Sequence, residues 1–223
     1  MPVSLIPESQ WARLRKWHDL NGRHELPWRR TRDPWQVFTA EFLLARTHAH
    51  AVAKVYPEIT LRFTGPEGVL SGTSDWNKLT SSLGLQSRLE RFTGACEILI
   101  SRYNSKVPSG RGELLELPGV GHYITAAVRN FAFDIPEVIV DTNTIRLANR
   151  ISGVPVDKSG HKSKIARSQV GLLGRNPLGQ SQVRNYALLD LAALVCTPSN
   201  PDCLNCPIYR CCAAKSDGFS GNN

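Results

Sequence analysis

Leu115-Glu116-Leu117-Pro118-Gly119-Val120-Gly121-His122-Tyr123-Ile124-Thr125-Ala126-Ala127 places two glycines around one small apolar residue. Short helices are predicted on either side, over residues 113–117 and 124–133. Both Gly119 and Gly121 can take φ > 0 without a Cβ penalty, so the connection can be very tight. Amides of such a turn, and of the helix that follows, point outward with partial positive charge and suit a phosphate oxygen. Leu117 and Val120 can pack between the helices and lock the turn. A plain helix–helix connection is the alternative reading of the same residues.

Outward from the hairpin, the pattern is helical almost throughout. Trp11, Leu14 and Trp17 recur at near-helical spacing until Asn21-Gly22 breaks the segment, and residues 26–30 read as a loop. A single long helix is expected over residues 37–56, with Val37, Phe38, Glu41, Leu44 and Ala45 on one face. Helices are also expected over 74–83 and 88–103, and beyond the hairpin over 142–151, near 162–173 and over 183–195. Residues 135–140 read as a brief extended stretch. The expected fold class is all-α.

The chain has 223 residues, 27 Lys and Arg against 19 Asp and Glu, and a net charge of +8. Such a balance favours a polyanionic partner, with nucleic acid the leading candidate. No run approaches the roughly 18 apolar residues that span a bilayer, and residues 1–11 lack a secretory pattern. A soluble, cytoplasmic monomer with no membrane partner is expected, nucleoid-associated if the source is prokaryotic.

Five of the six cysteines lie in the last stretch, at 196, 203, 206, 211 and 212, with Cys96 apart. Cys196, Cys203, Cys206 and Cys212 are spaced C-x6-C-x2-C-x5-C. A disulfide framework is usually spread through a small secreted chain, and paired zinc-ribbon knuckles are absent. Four thiolates after a helix can hold a 4Fe–4S cube. Cluster, zinc and disulfides all remain open on the residues alone, with Cys211 able to compete with Cys212. Cys96 reads as a small buried apolar residue.

Leu117-Pro118-Gly119-Val120-Gly121 resembles the hairpin of the helix-hairpin-helix (HhH-GPD) glycosylases, the superfamily of endonuclease III, MutY and the mismatch thymine glycosylases. Val140-Asp141-Thr142-Asn143 is similar to the aspartate element that follows that hairpin, and 185–190 to the helix before the cysteines. The C-x6-C-x2-C-x5-C spacing matches the endonuclease III and MutY branches. The resemblance spans residues 9–214. It implies a two-lobed fold, with a six-helix barrel lobe carrying the hairpin (31–135) and an iron–sulfur lobe (1–30 plus 136–223). It also implies a 4Fe–4S cofactor on Cys196, Cys203, Cys206 and Cys212, and double-stranded DNA with a mispaired or damaged base as partner.

Cleaving an N-glycosidic bond builds positive charge on the sugar, which a fixed carboxylate stabilises while orienting water. Asp141 is the catalytic candidate. As the residue before helix 142–151 it is equally an ideal N-cap, and the two roles are compatible because a helix mouth favours an ionised carboxylate. Glu41, in an otherwise apolar helix, reads as a desolvated carboxyl pushed toward protonation and fit to bind or protonate an everted base. Its alternative is a solvated glutamate on a polar face. By resemblance, Arg46 enters the duplex opposite the target, Leu85 or Gln86 supplies the wedge, and Asn143 supports Asp141. Gly119, Val120 and Gly121 would grip the backbone of the kinked duplex.

Tyr123 decides the expected reaction type. Bifunctional relatives carry a lysine here, whose amine forms a Schiff base with the sugar; a phenol cannot. The mismatch thymine glycosylases resemble this chain in having tyrosine. The chain also stops soon after the cysteines, where MutY enzymes usually continue into another domain. The expectation is a monofunctional DNA N-glycosylase of base excision repair, removing thymine or uracil opposite guanine. The alternatives are MutY-like excision of adenine from A/G or A/8-oxoguanine pairs, an endonuclease III-like glycosylase and lyase, and a non-catalytic DNA-binding module.

Overall fold

Helix α2 (Pro34–Leu44) begins where sequence chemistry tells it to. The Asp33 carboxylate accepts the Gln36 amide at 2.8 Å, and Pro34, which has no N–H to satisfy, takes the first position. Eight of its eleven residues are buried, Trp35 and Val37 through Leu43, so this is an interior helix. The computed structural model describes residues 4–84, 86–154, 164–173 and 181–214, and these divide between two compact units, His24–Ile135 and Met1–Arg23 with Pro136–Asn223.

In His24–Ile135, α2 is followed by α3 (Ala49–Arg62), α4 (Pro66–Ser71), α5 (Thr73–Thr80), α6 (Gln86–Tyr103), α7 (Arg111–Glu116) and α8 (His122–Phe131). Helix α6 turns Leu89, Phe92, Cys96 and Leu99 inward at helical spacing, all nearly or fully buried. Phe92 stacks on Trp76 at 4.6 Å between centroids and meets Phe42 edge-on at 4.9 Å. Trp35 and Phe38 close the aromatic core. Aromatic pairs of this geometry add about 0.5–1.5 kcal/mol each beyond their buried area.

The single helix expected over residues 37–56 is two. Leu44 ends α2, Arg46 takes a left-handed φ of 63°, and α3 starts at Ala49. Ala45 and Arg46 are good helix formers, so local preference did not place the break. On either side of it, Leu43 O and Thr47 Oγ1 accept from Arg88 of α6. Helix α4 was not expected from the sequence.

The other unit contains α1 (Glu8–Asn21), α9 (Thr142–Ser152), α10 (Lys164–Leu173) and α11 (Ser181–Leu194). Helix α9 packs on α10 and α11, and α11 on α1. Its core joins Ile6, Trp11 and Leu14 to Val140, Leu147, Ile151, Val170, Leu173, Leu188, Leu191 and Val195. Asp190 is fully buried here. Its carboxylate accepts the Arg23 amide at 3.0 Å and Nε at 2.7 Å, as a buried charge requires. Residues 135–140 form no ladder, and no strand occurs among the described residues. Nor is any described helix long and apolar enough to cross a membrane.

Candidate active site

The hairpin is built by two glycines in different ways. Gly119 adopts φ +80°, in the left-handed region, and sits against the Phe42 ring. Gly121 does not share that conformation: at φ −104° and ψ −176° it is extended and serves as N-cap of α8. Of the two glycines that could take φ > 0, only Gly119 does. The helix needs an extended residue before its first turn, and Gly121 provides it. Leu117 and Val120 are buried, and the Val120 amide closes onto Leu117 O at 3.1 Å. A Cβ at Gly121 would meet nothing within 4 Å, so the backbone there faces open space. Tyr123, half-buried, follows in the first turn of α8.

Glu41 lies on α2 with 4% exposure, between Ala40 and Phe42. The solvated-surface reading of this glutamate is excluded by that burial. Nearby, Tyr56 donates to Gln36 O at 3.0 Å; burial first, then the charges of Asp33 and Glu41, hold its phenol well above the usual range. Arg46 is exposed at the reversal after α2. Leu85 lies outside the described residues, and Gln86 opens α6. Sequence reasoning missed Arg88, two residues further on in the first turn of α6. Its Nη1 donates to Leu43 O at 3.4 Å and its Nη2 to Thr47 Oγ1 at 3.0 Å.

Asp141 belongs to the unit of α9, apart from the hairpin's unit. It is the N-cap of α9: Oδ1 accepts the Thr144 amide at 2.7 Å, and the Thr144 hydroxyl accepts the Asp141 amide at 2.9 Å. Asn143 Nδ2 donates to the other oxygen, Oδ2, at 2.8 Å. Both oxygens are thus oriented while the residue stays partly exposed. The chain of contacts continues, because Arg146 Nη1 donates to Asn143 Oδ1 at 3.1 Å, its Nε to Cys196 O at 3.0 Å and its Nη2 to Ala192 O at 2.7 Å. One turn on, Arg150 donates to Cys196 O, Cys196 Sγ, Thr197 O and Pro198 O at 2.7–3.3 Å. Neither arginine was singled out from the sequence. Their i, i+4 spacing after the aspartate element was the available signal.

All six cysteines are free thiols. Cys196, Cys203, Cys206 and Cys212 line one cavity whose other walls include Leu147, Ile151, Val195 and Ile208. Burial pushes the Cys206 thiol up to about 12, and the charges of Cys196, Cys212 and Cys203 act in the same direction. Cys211 is not in that set; its Sγ turns to Ile208 O at 3.3 Å. Among the described residues, no three His, Cys, Asp or Glu side chains stand close enough to share one metal ion. A 4Fe–4S cube makes a different demand, since each thiolate binds its own iron and the four stand apart around it. A largely apolar pocket lined by four cysteines fits that demand. The loop 197–202, which brings no basic side chain of its own, is held from beneath by Arg150.

No family model matches the chain. It is 34% identical over 209 residues to the thymine-DNA glycosylase of Aeropyrum pernix, covering 92% of this chain and 93% of that protein. It is 33% identical over 193 residues to the thymine/uracil-DNA glycosylase of Methanothermobacter thermautotrophicus, covering 86% of each. Among solved structures, that of a thermostable thymine-DNA glycosylase superposes with a TM-score of 0.84 at 30% identity, over 92% of this chain and 94% of that one.

Proposed function

The chain belongs to the helix-hairpin-helix DNA glycosylases of the endonuclease III/MutY superfamily, and on that premise we propose that it removes thymine or uracil mispaired with guanine in base excision repair. The observation that carries the reading is Asp141, partly exposed at the mouth of α9 with one oxygen tied to the Thr144 amide and the other to Asn143. A carboxylate held in this way is pre-oriented for the charge that develops at the sugar as the base departs, and needs no reorganisation at that moment.

The hairpin grips the DNA backbone at Gly119, Val120 and Gly121, where the open face of Gly121 lets a phosphate approach the α8 amides. A mispaired nucleotide costs less to evert than a paired one, which contributes to selection. Glu41, withdrawn from water on α2, binds the everted base. Arg46 occupies the place of the lost base pair, with the loop at Leu85 and Gln86 as wedge. Asp141 stabilises the oxocarbenium-like sugar and orients the attacking water. Tyr123 has no amine for an imine, so the abasic strand is left intact.

Cys196, Cys203, Cys206 and Cys212 would hold a 4Fe–4S cluster, which when bound supplies a structural cross-link and no electron to the hydrolysis. Arg146 and Arg150 fix the backbone of the first ligand. The enzyme would act as a monomer on duplex DNA.

A duplex panel carrying T/G, U/G, A/G and A/8-oxoguanine, assayed with and without alkali, tests the proposal. Base release from T/G and U/G with strand scission only after alkali is expected. Release of adenine alone would replace this reading with the MutY-like one, and alkali-independent scission with the lyase. Asp141→Asn should abolish release while DNA binding persists; retained release would remove Asp141 from the chemistry.

A further inference from the structure

Arg88 joins two segments of the His24–Ile135 unit that are distant in sequence. It sits in the first turn of α6, yet its guanidinium donates to Leu43 O at the end of α2 and to Thr47 Oγ1 just past the reversal. Arg46, exposed, lies between these two acceptors with φ 63°. A non-glycine residue in that region is strained by about 1–2 kcal/mol and persists only where its surroundings over-determine it. The Arg88 bridge, with the Thr47 amide closing onto Leu44 O at 3.0 Å, is what does so here.

A second observation concerns charge. Arg88 Nε is buried without an acceptor among the described residues. Burial, and then the neighbouring Arg46 charge, bring the Arg88 guanidinium down to about 10. A simple brace between α2 and α6 has no use for a second cation beside it. A polyanion laid across both would relieve the repulsion.

We propose that Arg88 is a positioning residue that fixes the 44–48 reversal, so that Arg46 and the start of α6 meet DNA as one unit and the base opposite the target is read. This deepens the glycosylase reading above and rests on it. Arg88 touches no reacting atom; it acts through the direction in which Arg46 is presented.

The test compares Arg88→Met and Arg88→Lys with the unaltered protein in single-turnover excision from U/G duplex, U/A duplex and single-stranded uracil DNA. Lysine keeps the charge but cannot span two acceptors with a planar fork. Both variants should lose about tenfold on the U/G duplex, the scale of one charged hydrogen bond, and their U/G preference over U/A should fall toward one. Excision from the single strand, which has no opposite base, should be unchanged. Arg88→Met should add nothing in an Arg46→Ala background. Thr47→Val, which removes one acceptor and leaves the guanidinium intact, should shift the same ratio and covers the case in which Arg88→Met fails to fold. Equal loss on all three substrates, or discrimination preserved in both Arg88 variants, overturns the proposal. Binding anisotropy on T/G against T/A duplexes separates the two readings. If the unaltered protein releases no base, the glycosylase reading fails, while the loss or retention of binding preference in Arg88→Met still decides the role of Arg88.

Discussion

The Phe42 ring occupies the space that a side chain on Gly119 would need: a Cβ built there would stand 2.6 Å from Cζ. The same glycine has φ +80°, so both space and backbone exclude any other residue. Gly119→Ala is expected to destabilise the protein by about 2–4 kcal/mol, from strain plus overpacking, read as a lower urea midpoint. Gly121→Ala should fold normally, because its backbone is extended and its Cβ would enter open space. It should instead weaken DNA binding by about tenfold, through obstructing a phosphate. Equal stability loss in both variants would contradict the division of labour between the two glycines.

Asn143 bridges the Asp141 carboxylate and Arg146. Asn143→Ala removes one charge-assisted bond, worth about 1.5 kcal/mol. Single-turnover excision should slow about tenfold with DNA affinity nearly unchanged. A loss confined to affinity would mean that Asn143 contacts DNA and does not steady the carboxylate.

Arg150 satisfies three carbonyls and contacts the Cys196 sulfur. In Arg150→Met, Thr197 O and Pro198 O lose this donor and Cys196 O keeps only Arg146, so the segment carrying the first proposed cluster ligand is held less firmly. Bleaching of the visible absorbance by a chelator should quicken about tenfold or more, as for other groups that orient a metal ligand. Cys211→Ser should bleach as the unaltered protein does, and Cys212→Ser should not assemble a stable cluster. The reverse pattern would exchange their roles.

Cys96 is fully buried on α6, and burial raises its thiol to about 12. The native thiol should resist alkylation at pH 8 and react fully once the protein is unfolded. Its folded value lies above the ordinary 9.0, so the unfolded chain gives up this proton first. The stability gained from burying the neutral thiol is complete below pH 9 and declines as pH rises toward 12. A Cys96→Ala variant, lacking the group, should show a smaller alkaline fall in urea midpoint.

The features legible in the sequence are those written in local chemistry. Leu117 to Gly121 announced a tight turn, Asp141 a cap, and the cysteine spacing a loop that gathers four thiols at one cavity. The burial of Glu41 followed from its apolar neighbours on α2. What escaped depends on residues far away in the chain. The break after Leu44 is held by Arg88, some 45 residues on, and no propensity at Ala45 or Arg46 signals it. Likewise, Arg146 and Arg150 were not singled out, because their partners are carbonyls that the cysteine loop brings from as far as 50 residues on. Gly121 shows a different limit: a glycine tolerates φ > 0 but does not require it, and only the neighbouring helix decides.

A duplex bent at the hairpin, as proposed above, would recoil against whatever bends it. Behind Gly119 stand Phe42, Phe92 and Trp76 in succession, their ring centres 4.9 and 4.6 Å apart. Close-packed rings compress very little, so the thrust passes straight into the interior without being absorbed by a yielding loop. On the proposed binding mode the turn would work as an anvil: the deformation would fall on the nucleic acid and hardly at all on the protein.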